Sequence, residues 1–395
     1  MIRNIQDDLY YTGVNDRAKI QFENLWPLPY GVSYNSYLLI DEKTVLFDTV
    51  DNHFSGVFFQ QLEEALNGRK LDYLVINHME PDHSGSIAIL KRRYPGVQIV
   101  GNAWTLSMVG GYYGISDGLL SIKDNDELPL GKHTLKFFLT PMIHWPETMM
   151  TYETTTQTLF SGDAFGCFGA LDGGIKDTQL NVEKYWDEMI RYYSNIVGKY
   201  GVPVQKALTR LQSMEIRTIC STHGPVWTEK ENVDRVISIY DRLSKYETEN
   251  GVVIAYGTMY GHTEAMAEWI AAELSERGVK NIVLHNLAVA DPSYVLRDLF
   301  KYKGLIVGSP TYNNQLFPKV EALLSQIQLR GIKNRCFGYF GSFTWAGAAV
   351  KRLAAFAETS GFDTIAASVE MEQAGFESVK EGISALAQAM AEKLK

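Results

Sequence analysis

The rhythm of apolar and polar positions changes once along this chain, near residue 245. Before that point, short apolar runs alternate with Gly, Pro and Asn turns, the pattern of strands. "SYLLIDEKTVLFDTV" (36–50) reads as a hairpin and "LDYLVINH" (71–78) as a buried strand. "SIAILKRRYP" (86–95) reads as a helix stopped by Pro95. "VQIVGNA", "TLKFFLTP", "TMMTYET" and "TLFSGDA" predict further strands, and "IRTICSTHG" (216–224) another. "EKYWDEMIRYYSNIV" (183–197) has helical spacing. After the charged stretch "RLSKYETENG" (242–251), strands such as "VVIAY", "GLIVGSP" and "RCFGYFGS" alternate strictly with amphipathic helices to the end. Five strands in about 145 residues predict a doubly wound parallel sheet. Two domains are expected, 1–249 and 250–395.

Composition changes this picture little. A net charge of −9 over 395 residues argues against a nucleic-acid grip, which needs clustered cations. No apolar run reaches 18 residues, so no membrane-spanning helix is expected. The opening "MIRNIQDDLY" lacks the apolar stretch of a secretory signal. Cys167, Cys220 and Cys336 stand far apart, which makes no disulfide framework and fits a reducing cytoplasm. Three thiols are also too few for an iron site held by four cysteines.

The chemistry lies where strands end. "HMEPDH" (78–83) packs His78, Glu80, Asp82 and His83 behind one strand. His144 follows "LKFFLTPMI", Asp163 follows "TLFSG", and His223 follows "IRTICST". Any one of these histidines reads most simply as a satisfied structural residue. Separate strands that each end in a metal-competent side chain point instead to one shared site on a sheet edge. His53, His133 and His285 lack that context and read as structural or surface residues.

This arrangement resembles the metallo-β-lactamase fold, an αββα sandwich with a binuclear site at its sheet edge. The usual H-x-H-x-D-H signature is altered, because Glu80 stands where the second His would be. The resemblance implies His78, Glu80 and His144 for one metal, and Asp82, His83 and His223 for the other, with Asp163 between them. Mixed carboxylate and imidazole donors suit redox-active iron, whereas His-rich sets suit zinc. A di-iron site is therefore expected.

The second domain opens on "YGTMYGHTEAMAEWI". A loop of small and hydroxyl residues joins a strand to a helix, which directs backbone N–H groups at an anion. Thr258, Gly261, His262 and Thr263 are candidate phosphate-binding residues, with Met259 and Tyr260 in the same loop. It is neither a P-loop nor G-x-G-x-x-G. Two later loops carry aromatics: Pro310, Thr311, Tyr312, Asn313 and Asn314 in one, and Ser342, Phe343, Thr344, Trp345, Ala346 and Gly347 in the other. In a 2-1-3-4-5 sheet the loops after the first, third and fourth strands meet at one crevice. The set resembles flavodoxin and implies FMN, its phosphate in the first loop and its ring between the other two.

Together the two halves resemble the flavodiiron proteins (A-type flavoproteins) over nearly the whole chain, through "HMEPDH", "PMIHWPETMMTY", "GDAFG", "STHG" and "MYGHTE". The resemblance implies a cytoplasmic reductase of dioxygen to water, or of nitric oxide to nitrous oxide, at two iron ions. FMN would relay electrons from an external donor such as rubredoxin or a reduced flavin-type cofactor. A head-to-tail homodimer or a dimer of dimers would bring one subunit's FMN to the other's irons. Tyr193 is a candidate for hydrogen bonding to the bound diatomic. The absence of His from "FENLWPLPYG" (22–31) leaves the preferred diatomic open. The competing expectation is a zinc-dependent hydrolase with a regulatory flavodoxin domain.

Overall fold

In the computed structural model, residues 3–395 are described; Met1 and Ile2 of the opening stretch lie outside them. The chain divides into two compact units, Met1–Tyr193 with Tyr200–Asp241, and Ser194–Lys199 with Arg242–Lys395.

The first unit holds two facing sheets. One has seven strands in the spatial order Arg3–Gln6, Leu9–Tyr11, Tyr37–Ile40, Thr44–Phe47, Tyr73–Val75, Gln98–Gly101 and Leu119–Ser121. Its first four strands pair antiparallel, and the rest are added in parallel. The other runs Glu127–Pro129, Thr134–Leu139, Met149–Glu153, Thr158–Gly162 and Thr218–Ser221, and its last pairing is parallel. The sheets meet through aromatic side chains: the rings of Phe47 and Phe160 stack at 3.6 Å and 8°, and Tyr37 lies 5.7 Å from Phe160. Helix Ser55–Leu66 buries Phe58, Phe59 and Leu62.

Register places the chemistry. Phe47 pairs with Val75, and Gly162 pairs with Ser221. The residues that follow these positions, Asp48, Asn77 and His78 in one sheet and Asp163 and Thr222 in the other, are thus carried to strand ends. Parallel strands with level ends deliver their loops to one side.

The second unit is an all-parallel five-stranded sheet in the order Ile282–Asn286, Glu249–Tyr256, Tyr302–Pro310, Cys336–Phe343 and Asp363–Glu372. This is the expected 2-1-3-4-5 order. Tyr256 pairs with Gly308 and Pro310 with Ser342, so the loops beyond them emerge at one edge. Val252, Ile254, Ile306 and Phe340 fill the core beneath them.

Some elements were not legible in the pattern. Helix Ala103–Tyr113 buries only Thr105 and Val109 and contains two glycines, so it has little periodicity. Its start is set instead by Asn102, whose side chain accepts from the N–H groups of Trp104 and Thr105. The helix expected over 183–197 is α-helical only to Tyr192; a π-turn covers Tyr193–Val197. Ser194–Lys199 packs with the second unit, where Arg330 Nε donates to the Ser194 carbonyl (3.0 Å).

Candidate functional site

At the strand ends of the first unit, seven buried side chains converge as two groups. His78, Glu80, His144 and Asp163 form one; Asp82, His83 and His223 form the other. Asp163 stands between them, one oxygen 3.2 Å from His144 Nε2 and the other 2.9 Å from His83 Nε2. Asp82 Oδ2 lies 3.4 Å from the Nε2 atoms of both His83 and His223. Glu80 Oε2 lies 3.3 Å from His78 Nε2 and 3.1 Å from His144 Nε2.

Two of the four imidazoles are held from their far side. His78 Nδ1 pairs with Glu147 Oε1 (2.8 Å), and His223 Nδ1 with the Ser33 carbonyl (2.7 Å). With a metal bound, Nδ1 would keep its proton and Nε2 would be the donor facing inward. Thr222 Oγ1 donates to Asp163 Oδ1 (2.6 Å). Asp48 accepts from the backbone N–H of Asn77 and from its side-chain amide (2.8 and 2.9 Å), which sets the start of the ligand loop.

The electrostatics are those of a site built for cations. Burial disfavours charge on His78, yet Asp163, Glu147 and Glu80 hold its pKa well above the usual imidazole range. Burial also opposes charge on His83 and His144; Asp82 and Asp163 around the first, and Asp163 and Glu80 around the second, hold each up at about 9. Asp163 is pushed up by burial and down further by His78, His83 and His144, so it lies well below the carboxylate range. Both oxygens of Asp82 and the Nε2 atoms of His83 and His223 are buried without a hydrogen bond. Orphaned polar atoms of this kind, aimed at one point, are costly unless a ligand satisfies them. Four imidazoles and three carboxylates fit two metal ions by this test.

The tyrosine pair at the end of helix Glu183–Tyr192 divides its roles. Tyr193 packs edge-on to Tyr240, with ring centroids 5.0 Å apart. Tyr192 lies 5.5 Å from the His223 ring, and its fully buried hydroxyl makes no hydrogen bond. Tyr192, Asp48, Glu147 and Ser33 were missed in the sequence. Asp48 carried a signal, a polar residue directly after an apolar strand; Glu147 gave none beyond its place in "HWPET".

The second unit carries a cavity of about 540 Å³ at its sheet edge. Thr258, Met259, Tyr260, His262 and Thr263 line it from the first loop. Pro310, Thr311, Tyr312, Asn313 and Asn314 line it from the second, and Ser342, Phe343, Thr344, Trp345 and Ala346 from the third. Gly261 and Gly347 are not among its lining residues, and Gln373 joins them. Gly261 instead gives the turn its shape: its φ is +91°, and it precedes the first residue of helix His262–Glu276. A Cβ there would meet no protein atom within 4 Å, so the left-handed φ and not crowding calls for glycine. Thr263 and Ser342 hydroxyls pair at 2.9 Å, tying the first loop to the third. Tyr260 and Trp345 stand 89% and 88% exposed beside the cavity, as aromatic walls without a packed partner would. These loops fit a planar ring bearing a phosphate.

Comparison with known proteins agrees with both halves. Residues 32–224 match the family described as ODP family beta lactamase, and residues 254–393 match flavodoxin. The anaerobic nitric oxide reductase flavorubredoxins of Vibrio vulnificus and Aliivibrio fischeri are 32% and 34% identical to this chain; each match spans 92% of the chain and 74% of the relative. Among solved structures, the rubredoxin oxygen:oxidoreductase of Desulfovibrio gigas superposes with a TM-score of 0.95 at 30% identity, covering 100% of this chain and 98% of the other. The flavodiiron protein of Giardia intestinalis gives 0.94 at 26% identity with the same coverage. With a seven-donor buried centre in one unit, a ring-and-phosphate cradle in the other, and relatives that span both, the chain belongs to the flavodiiron protein family.

Proposed function

We propose that this protein is an oxidoreductase that reduces dioxygen to water, nitric oxide to nitrous oxide, or both. The observation that carries the reading is the mixed donor set, with Glu80 in the place of a second histidine and Asp163 shared between two groups. When bound, two iron ions and FMN would together supply the four electrons that dioxygen reduction needs.

The chain's own residues set the conditions. His78, Glu80 and His144 would hold one iron, Asp82, His83 and His223 the other, and Asp163 would keep them together. Glu147 and Ser33 would orient the imidazoles of His78 and His223 toward the metal. Tyr192, its hydroxyl unused by the protein, is the better placed of the tyrosine pair to donate a hydrogen bond to a bound diatomic; Tyr193 would support the wall behind it. Residues of the three loops from Thr258 to Gly347 would hold FMN, with backbone N–H groups of the first loop on the phosphate.

An external donor is required, and rubredoxin or a reduced flavin-type cofactor fits the role. A cytoplasmic head-to-tail homodimer would bring FMN and iron of different subunits together. Among the described residues no helix is long and apolar enough to cross a membrane.

The test is anaerobic reduction followed by separate rapid mixing with dioxygen and with nitric oxide. Oxidation of the iron ahead of the flavin is expected with at least one gas. If neither gas oxidises the metal faster than the flavin, or if the protein as isolated carries zinc alone, the reading fails.

A further inference from the structure

A cavity of about 770 Å³ lies in the first unit and belongs to neither site described above. Helix Gly201–Leu211, the turn after it and helix Lys230–Ser244 enclose it. Its apolar walls are Leu208, Leu211, Met214, Ile216, Val233 and Ile237. Along the second helix the lining positions run from Lys230 through Asp234 and Ser238 to Asp241. That spacing is one helix face, and at 1.5 Å per residue it makes the cavity about 16 Å long. Strand Thr218–Ser221 starts beside the cavity and ends toward His223, so the cavity lies at the edge opposite the metal centre.

Apolar walls normally close on each other, and interiors keep few voids larger than a water molecule. Here the turn 212–217 is pinned from outside. The Tyr152 hydroxyl donates to the Glu215 carbonyl (2.7 Å), the Arg217 N–H to the Gln157 carbonyl (2.9 Å), and the Gln157 amide to Glu215 Oε2 (3.0 Å). These bonds keep Met214 and Ile216 from collapsing onto the second helix. The charges at the rim are paired among themselves. Arg217 Nε meets Glu215 Oε1 (2.9 Å), Lys230 meets Asp234, and Asp241 Oδ1 accepts from Gln205 (2.8 Å). Three carboxylates against two cations leave no excess positive charge, so a phosphate or carboxylate finds no counter-charge here. The volume falls within the roughly 300–1,000 Å³ of small-molecule sites, whose walls are mostly apolar.

We propose that this cavity is a binding site for an elongated, uncharged apolar small molecule, of the kind built on an alkyl or isoprenoid chain. The pinned turn sets its width, the helix face its length, and the self-paired rim its preference for a neutral ligand. Met214, unbranched and polarizable, adapts the wall to the ligand's shape. The site is independent of the metal centre and of the flavin cradle.

The test uses the full-length holoprotein, with the flavin cradle filled. N-phenylnaphthylamine and anilinonaphthalene sulfonate share one ring skeleton, and only the second carries a charge. Equilibrium dialysis measures each probe against the parent, Ser238→Trp and Ile237→Asp. Ser238 is exposed at the rim, so an indole there covers the opening without disturbing the core; Ile237→Asp sets a charge on the apolar wall. The parent should bind one neutral probe per chain, about tenfold more tightly than the charged one, and both variants should lose about tenfold or more of that affinity. Ser238→Trp should keep the parent's melting temperature and flavin content. No saturable binding by the parent, equal binding by parent and Ser238→Trp, or equal affinity for the two probes each overturns the proposal. Where Ile237→Asp does not fold, Ser238→Trp decides. Self-association of the parent that Ser238→Trp abolishes also overturns it, since the cavity would then be a contact between chains.

Discussion

Glu147 offers a direct measure of how far the protein pre-builds its metal centre. Its side chain is fully buried, and Oε1 accepts both from His78 Nδ1 (2.8 Å) and from the Met79 backbone N–H (2.9 Å). Glu147→Ala leaves two buried donors unsatisfied, at about 1–3 kcal/mol each. It also frees the His78 ring to rotate and to change tautomer. Carboxylate partners of metal-binding histidines typically account for roughly ten- to a hundred-fold in affinity, or about 1.4–2.8 kcal/mol. Glu147→Gln keeps an oxygen that both donors can use and loses only the charge, so it should fall between parent and Glu147→Ala. Ferrous ion competed against a chelator gives the affinities. Thermal unfolding with and without iron gives an independent check, because a ligand raises stability in proportion to the logarithm of its occupancy ratio. The iron-induced rise in melting temperature should shrink in the order parent, Gln, Ala. If Glu147→Ala keeps both the parent affinity and the full iron-induced rise, Glu147 does not orient His78 toward a metal.

Other outcomes follow from the same geometry. Without metal, His83 and His144 hold their protons up to about pH 9; iron must displace them, so uptake at pH 7 should release protons into weak buffer and apparent affinity should rise from pH 7 to pH 9. Equal affinity at the two pH values contradicts this. Tyr192→Phe removes a buried hydroxyl that makes no hydrogen bond, so melting temperature should hold or rise while turnover of the preferred gas falls about tenfold or more; parallel loss of both would mark a structural role. Gly261→Ala forces a side chain onto a φ of +91° and should weaken FMN binding about tenfold, measured by flavin fluorescence. In the second unit, burial raises the Asp298 pKa, but His285 (2.8 Å) and Arg297 (2.8 Å) lower it further. Its folded pKa lies below the unfolded value of about 3.9, so its stabilising effect is complete above that pH and fades as pH falls through the folded value. Asp298→Asn should therefore flatten the acid limb of the stability curve; an unchanged limb contradicts the assignment.

The second unit was the more legible half. Its strands are buried on both faces and its helices have one apolar face, so period and order were both written in the pattern. The sheet order 2-1-3-4-5 then fixed which three loops meet, and these line the cavity almost residue for residue. In the first unit the sequence by itself marked the seven residues that the fold gathers, because they follow apolar strands. It could not determine the shell that aims them. Glu147, Ser33 and Asp48 gain their roles through contacts 69, 190 and 29 residues away in the chain, and only strand register decides such pairs. Helical spacing ran through both Tyr192 and Tyr193 without saying which of them faces His223; packing puts Tyr192 there and Tyr193 against Tyr240. Donor type and strand position are local properties that a sequence records; the orientation of a side chain belongs to the neighbours that tertiary packing brings to it.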